Sequence, residues 1–205
     1  MFASFGTIDS KTAAAVGIKD DWKSFSIVMG VISARSIIYY ALTAFIPLFL
    51  VSVMGQTESF DSSMIALFAV VGVAGTLISG WASKIISARS LVLISYPLIA
   101  LFVALFAVNQ SLMAACVLIV LLSIAVDLAY PSSVALGQSF VPNHLGMASG
   151  LSFGVVVCVG GVASPLLGLA GDFIGLQSVM LILAAVAIAG LVVALFIPKP
   201  GRLKK

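Results

Sequence analysis

Six stretches of this chain are apolar enough and long enough to cross a bilayer as helices, and they constrain the fold more than any other feature. They run approximately over residues 24–53, 59–85, 90–108, 112–141, 146–169 and 177–197 and are predicted as helices α1 to α6. About 20 apolar residues at roughly 1.5 Å each span the hydrocarbon core. Hydrophobic residues make up 62% of the sequence and charged ones 8%, against about 25% charged residues in soluble domains. The chain is thus expected to be an all-α integral membrane protein. α1 exceeds a straight span, which predicts tilt or a protruding end. Pro131 and Gly137 are expected to interrupt α4 with a kink, because proline removes a backbone donor and crowds the preceding turn.

The polar segments set the domain plan and the orientation. Residues 1–23 read as a polar leader without a helical apolar period. They also lack the charged start, apolar core and cleavage site of a signal peptide. Residues 24–198 form the six-helix bundle, and 199–205 a basic tail. Lys11, Lys19, Lys23, Lys84, Arg89, Lys199, Arg202, Lys204 and Lys205 all fall on the side shared by both termini, whereas Glu58, Asp61 and Asp172 fall on the other. Basic residues are enriched on cytoplasmic ends, so both termini are expected to be cytoplasmic in a multi-pass protein of the inner, cytoplasmic membrane.

The stretch from Pro142 to Gly175 is unusually rich in small residues. Gly146, Gly150 and Gly154 lie four apart, followed by Gly160, Gly161, Ser164 and Gly168. Small residues at that spacing share a helical face and let another backbone approach closely. Helices α1–α3 and α4–α6 also read as two copies of one unit, and an odd number of spans inverts the second copy relative to the first. The second helix of each copy is glycine-rich and leads into a related turn, Gly80 to Ser87 in one and Gly168 to Gly175 in the other. The charged position is Lys84 in the first turn and Asp172 in the second.

Two ionisable residues lie deep in predicted spans. Arg35 is roughly 18 Å, and Asp127 roughly 21 Å, from the cytoplasmic ends of their helices. A charge at that depth costs about 2.5–3.5 kcal/mol on insertion scales, and such residues face inward, find partners and mark functional sites. Arg35, Tyr39 and Thr43 follow one face of α1, and Ser123, Asp127 and Tyr130 one face of α4. These stripes are expected to line a substrate cavity, with Asp127 as the proton-coupling carboxylate and Arg35 pairing with it or holding an anionic group. A static Arg35–Asp127 pair joining the two helices remains the alternative. Tyr40 reads as packing, His144 as a helix-entry residue, and Glu58 and Asp61 as solvated loop charges.

With these residues in view, the sequence resembles the major facilitator superfamily, and within it the C-terminal six-helix half of fosmidomycin-resistance-like efflux proteins. The resemblance is carried by Arg35-Ser36, Phe45 to Leu48, Gly80 to Arg89, Pro142 with Gly146 and Gly150, and Gly168, Asp172 and Gly175. It implies that α1 and α4 line the central cavity, and that turns carrying Gly80, Lys84, Arg89, Gly168, Asp172 and Gly175 take part in gating. It also implies that α2 and α5 flank the other half of a twelve-helix unit. Gly72, Gly75, Gly146, Gly150, Gly154 and Gly161 would then serve helix packing or a partner interface. The cytoplasmic turn departs from the family pattern, with Lys84 at the usual Asp and Ser87 at the usual glycine. The family's other six helices have no counterpart here, so the expected partner is a second six-helix half or a second copy.

No phosphate-cradling loop, His cluster, paired acids or Ser-His-Asp arrangement supports an enzyme, metal or cofactor. Cys116 and Cys158 lie inside apolar runs, without metal spacing. Nucleic acid is not an expected partner, because the membrane orientation already accounts for the basic tail. The expected partners are the bilayer, protons and a small molecule. The expected function is proton-coupled efflux by alternating access; the alternatives are a non-transporting fragment or interaction subunit, and a proton symporter of a sugar or organic anion.

Overall fold

The computed structural model describes residues 20–198, apart from the side chain of Glu58. Most of the leader and the whole basic tail, with Lys11, Lys19, Lys199, Arg202, Lys204 and Lys205, lie outside the described residues. The rest is helical: α1 Trp22–Ser52, α2 Glu58–Ala82, α3 Ala88–Val108, α4 Leu112–Phe140, α5 Leu145–Ile174 and α6 Leu176–Leu195. A short 3-10 turn, Pro142–His144, joins α4 to α5. All six helices are long and apolar enough to cross a membrane, and no strand occurs among the described residues.

The ends of α5 and α2 differ from the sequence expectation. α4 stays helical through Pro131 and Gly137, and Pro47, Pro97 and Pro165 likewise lie inside helices. A proline is tolerated in a span where neighbouring groups satisfy the backbone around it. Pro131 deprives the carbonyl of Asp127 of its usual donor, and the carbonyls on either side are held from other helices. Arg35 Nε donates to Val126 O at 3.4 Å, and Ser79 Oγ to Leu128 O at 2.9 Å. α5 runs on to Ile174 instead of ending near Leu169. A glycine within a helix costs about 1 kcal/mol, but an unsatisfied peptide group in hydrocarbon costs several. The helix therefore continues until Gly175, whose φ of 82° turns the chain into α6. α2 ends at Ala82, before Ile85, and Ser87 caps α3 by accepting from the amide of Ser90 at 3.2 Å.

α1 is the centre of the bundle and touches α2, α4, α5 and α6. Its buried residues, among them Val28, Ile32, Leu42 and Ile46, lie on several sides of the helix, as expected of an element surrounded by others. The packing repeats when the two halves are exchanged. α2 packs on α4 as α5 packs on α1, α3 on α4 as α6 on α1, and α1 on α2 as α4 on α5. Each half thus lays its second helix across the first helix of the other, so the two inverted copies interlock as one bundle. The outer faces of these second helices stay uncovered: Val73, Leu77 and Trp81 on α2, and Phe153, Val157 and Phe173 on α5, are exposed.

One end of the bundle is tied together at the start of α1. Asp21 caps the helix, its carboxylate accepting from the amide of Ser24 at 3.1 Å and from the Ser24 hydroxyl at 2.5 Å. Its own amide donates to the carbonyl of Phe140 at 2.8 Å. Asp20 reaches the α4–α5 turn, with Oδ1 accepting from the amide of Asn143 at 3.1 Å and Oδ2 lying 2.7 Å from Nδ1 of His144. His144 therefore joins the turn before α5 to the segment that enters α1.

Candidate functional site

The two deep charges meet. Nη2 of Arg35 on α1 lies 2.5 Å from Oδ1 of Asp127 on α4, with only 6% of the arginine and 14% of the aspartate side chain exposed. A buried charge requires a counter-charge and filled hydrogen bonds, and the guanidinium has both, since its Nε also donates to Val126 O. Two aromatic rings lie against it. Its central carbon is 4.5 Å from the ring centre of Tyr39, one turn along α1, and 4.6 Å from that of Tyr130 on α4. Such contacts stabilise a desolvated cation by up to about 2 kcal/mol.

The aromatic cluster extends outward. Tyr39 meets Tyr40 and Phe68 with ring centres 5.8 Å and 6.0 Å apart, and Tyr130 meets Phe153 of α5 at 6.2 Å. The site therefore draws on four helices, α1, α2, α4 and α5. It can hold a fixed positive charge, a carboxylate able to take a proton, and flat faces for an organic group.

Two members of the expected stripes do other work. Ser123 is wholly buried and donates to the carbonyl of Phe68 on α2 at 2.5 Å, which ties α4 to α2. Thr43 donates to Tyr40 O of its own helix at 2.9 Å. Gly72 and Gly75 of α2 face inward, against α4. A Cβ on Gly75 would come within 3.1 Å of the backbone of Ile124, and one on Gly72 would run into the carboxylate of Asp127. They belong to the bundle's own packing, not to a surface for a partner. Gly160 is likewise internal, against Ser36 and Tyr40 of α1, whereas Gly146, Gly150, Gly154 and Gly161 have nothing within 4 Å of an added Cβ.

The expected gating turns are in part helical: Gly80 lies within α2, and Gly168 and Asp172 within α5. Lys84 and Asp172 are exposed. Arg89 donates through Nη2 to Leu195 O at 3.2 Å and so supplies a cation and a donor to the C-terminal end of α6. Among the described residues, no three His, Cys, Asp or Glu side chains gather as a metal site would require.

Several polar residues join helices without a sequence signal for that role. Ser36 donates to Val156 O of α5, Ser79 and Ser132 meet at 3.0 Å, and Tyr96 donates to Val31 O at 2.5 Å. Each is a small hydroxyl or a lone tyrosine in an apolar run, and neighbouring residues do not reveal its distant partner.

A family model described as the Major Facilitator Superfamily matches residues 25–205. Among solved structures, the chain is similar to FucP, a transporter of that superfamily crystallised in the outward conformation. The TM-score is 0.77 at 14% identity, covering 97% of this chain and 48% of that one. At that identity the likeness is one of fold, and the chain spans about half the length of the solved transporter. No curated protein matches the sequence.

Proposed function

The chain belongs to the Major Facilitator Superfamily, and from that premise we propose that it supplies six helices of a twelve-helix secondary transporter. It would export a small organic molecule in exchange for protons, by rocking against its other half. The observation that carries this reading is the Arg35–Asp127 pair, held at depth among Tyr39, Tyr40, Tyr130, Phe68 and Phe153. A buried carboxylate whose proton affinity depends on a movable counter-charge can link proton binding to a change of conformation. In this reading Asp127 carries the proton, Arg35 parts from the carboxyl group when the proton binds and pairs with it again when the proton leaves, and the tyrosines bind the substrate's flat surface. The other half, or a second copy, docks on the open glycine face of α5. Both termini lie in the cytoplasm, with 1–23 and 199–205 as flanking segments.

The permanent charge of Arg35 also favours a second reading. Once Asp127 is protonated, the guanidinium beside Tyr39 and Tyr130 lacks a counter-charge, and a substrate carboxylate can supply one. Proton and organic anion would then travel together.

Proteoliposomes holding the full chain, with a pH-sensitive dye inside, test both readings against small organic cations and anions. Efflux by exchange predicts substrate-driven proton movement opposite to the substrate, and symport predicts movement with it. Asp127→Asn should abolish the proton movement while leaving downhill substrate exchange. Proton-driven transport that survives this substitution removes Asp127 from the coupling role.

A further inference from the structure

The interlocked halves meet through the same joint twice. On one side, Ser123 of α4 donates to the carbonyl of Phe68, four residues before Gly72 of α2. A Cβ at Gly72 would run into Oδ2 of Asp127 and lie 3.2 Å from Ser123 Oγ and 3.3 Å from Asp127 Cγ. On the other side, Ser36 of α1 donates to the carbonyl of Val156, four residues before Gly160 of α5. A Cβ there would run into the ring of Tyr40 and into Ser36 Oγ. The serine and the seated side chain are four residues apart in both joints, Ser123 with Asp127 and Ser36 with Tyr40. Exchanging the halves therefore carries Gly72 onto Gly160 and Asp127 onto Tyr40. The joint is common architecture, and one copy seats an ionisable group.

We propose that Gly72 is the positioning residue of the Arg35–Asp127 pair, its bare backbone forming the seat that keeps the carboxylate against the guanidinium. The assignment concerns the ion pair and rests on the transport reading only for its effect on flux. A methyl group at Gly72 can be relieved by turning the Asp127 side chain, because Oδ2 is its free tip. Turning it takes Oδ1 away from Nη2 of Arg35. The guanidinium is held from following by Val126 O and by the rings of Tyr39 and Tyr130. A methyl group at Gly160 displaces a tyrosine ring that has no charged partner among its ring contacts, so the disturbance stays in the packing.

The test labels Asp127 in the full chain, in lipid nanodiscs, with dicyclohexylcarbodiimide, which attacks protonated carboxyl groups in apolar surroundings. The extent of labelling is read by mass spectrometry, with Asp127→Asn as blank and Arg35→Gln as the broken-pair reference. Gly72→Ala is expected to label about tenfold faster than the unsubstituted chain, the factor that loss of a charge-assisted hydrogen bond corresponds to. Gly160→Ala is expected to label at the unsubstituted rate. An unchanged rate in Gly72→Ala, or an equal rise in Gly160→Ala, overturns the assignment. If Gly72→Ala does not fold, thermal melting in the Asp127→Ala background decides. There the glycine substitution should be tolerated with no further loss of Tm, and an undiminished loss shows that Gly72 seats the helix and not the carboxylate. No substrate is involved, so proton-linked flux that survives Asp127→Asn removes Asp127 from the coupling role and leaves this assignment standing.

Discussion

Arg35 is the residue on which the interior of the bundle depends most. Its charge is permanent, so its partners, Asp127 and the two tyrosine rings, decide whether it can remain at that depth. Removing one member of a buried pair leaves the other uncompensated and costs about 3–5 kcal/mol, whereas replacing both with neutral groups is often tolerated. Arg35→Gln should therefore lower the thermal stability of the purified chain sharply. Arg35→Gln with Asp127→Asn should recover most of the loss, which a double-mutant cycle of detergent melting measures. Both residues were legible in the sequence because a charge inside an apolar run stands out. The role of Gly72 was not, because a glycine in a span looks the same whether it meets a carboxylate, a backbone or lipid.

At the level of elements, the number and order of helices follow from hydropathy alone, and the late end of α5 has a physical cause. Gly168, Gly171 and Asp172 resemble turn residues in water, but the chain there keeps its backbone hydrogen bonds internal until Gly175. Ser123 and Ser36 share faces with cavity candidates, yet each hydroxyl crosses to a neighbouring helix to find a carbonyl. Spacing assigns a residue to a face and leaves its partner open. The start of α1 shows the opposite case, in which a local signal suffices. The Ser24 hydroxyl, then its amide, hold the Asp21 carboxyl below the usual carboxylate range. A group whose folded pKa is depressed stabilises above its unfolded value, near 3.9, and loses that stabilisation as pH falls through the lower folded value. The Ser24 and Phe25 amides should thus lose protection against hydrogen exchange, relative to their intrinsic rates, below about pH 4, with no comparable change at the start of α3, where Ser87 is the cap. Asp21→Ala should cost about 1 kcal/mol and remove that pH dependence.

For the whole molecule, the open face of α5 is where the proposed docking of a second six-helix unit can be tested. Gly154 and Gly161 meet nothing within 4 Å, in contrast to Gly160 between them, so a large side chain at either position has room within this chain. Gly154→Leu and Gly161→Leu should leave the melting of the isolated bundle nearly unchanged and lower the yield of the larger assembly in crosslinking from native membranes. Equal assembly in the variants would mean that this face meets lipid.

The salt bridge between α1 and α4 has an electrical consequence. While it is closed, the two deep side chains sum to zero charge, and the membrane voltage exerts no net force on them as the bundle tilts. When a proton neutralises Asp127, one positive charge remains at that depth, and a potential of 100 mV acts on its passage across the full span with about 2.3 kcal/mol. A bundle cycling between these states would be indifferent to voltage in one direction of its swing and driven by it in the other.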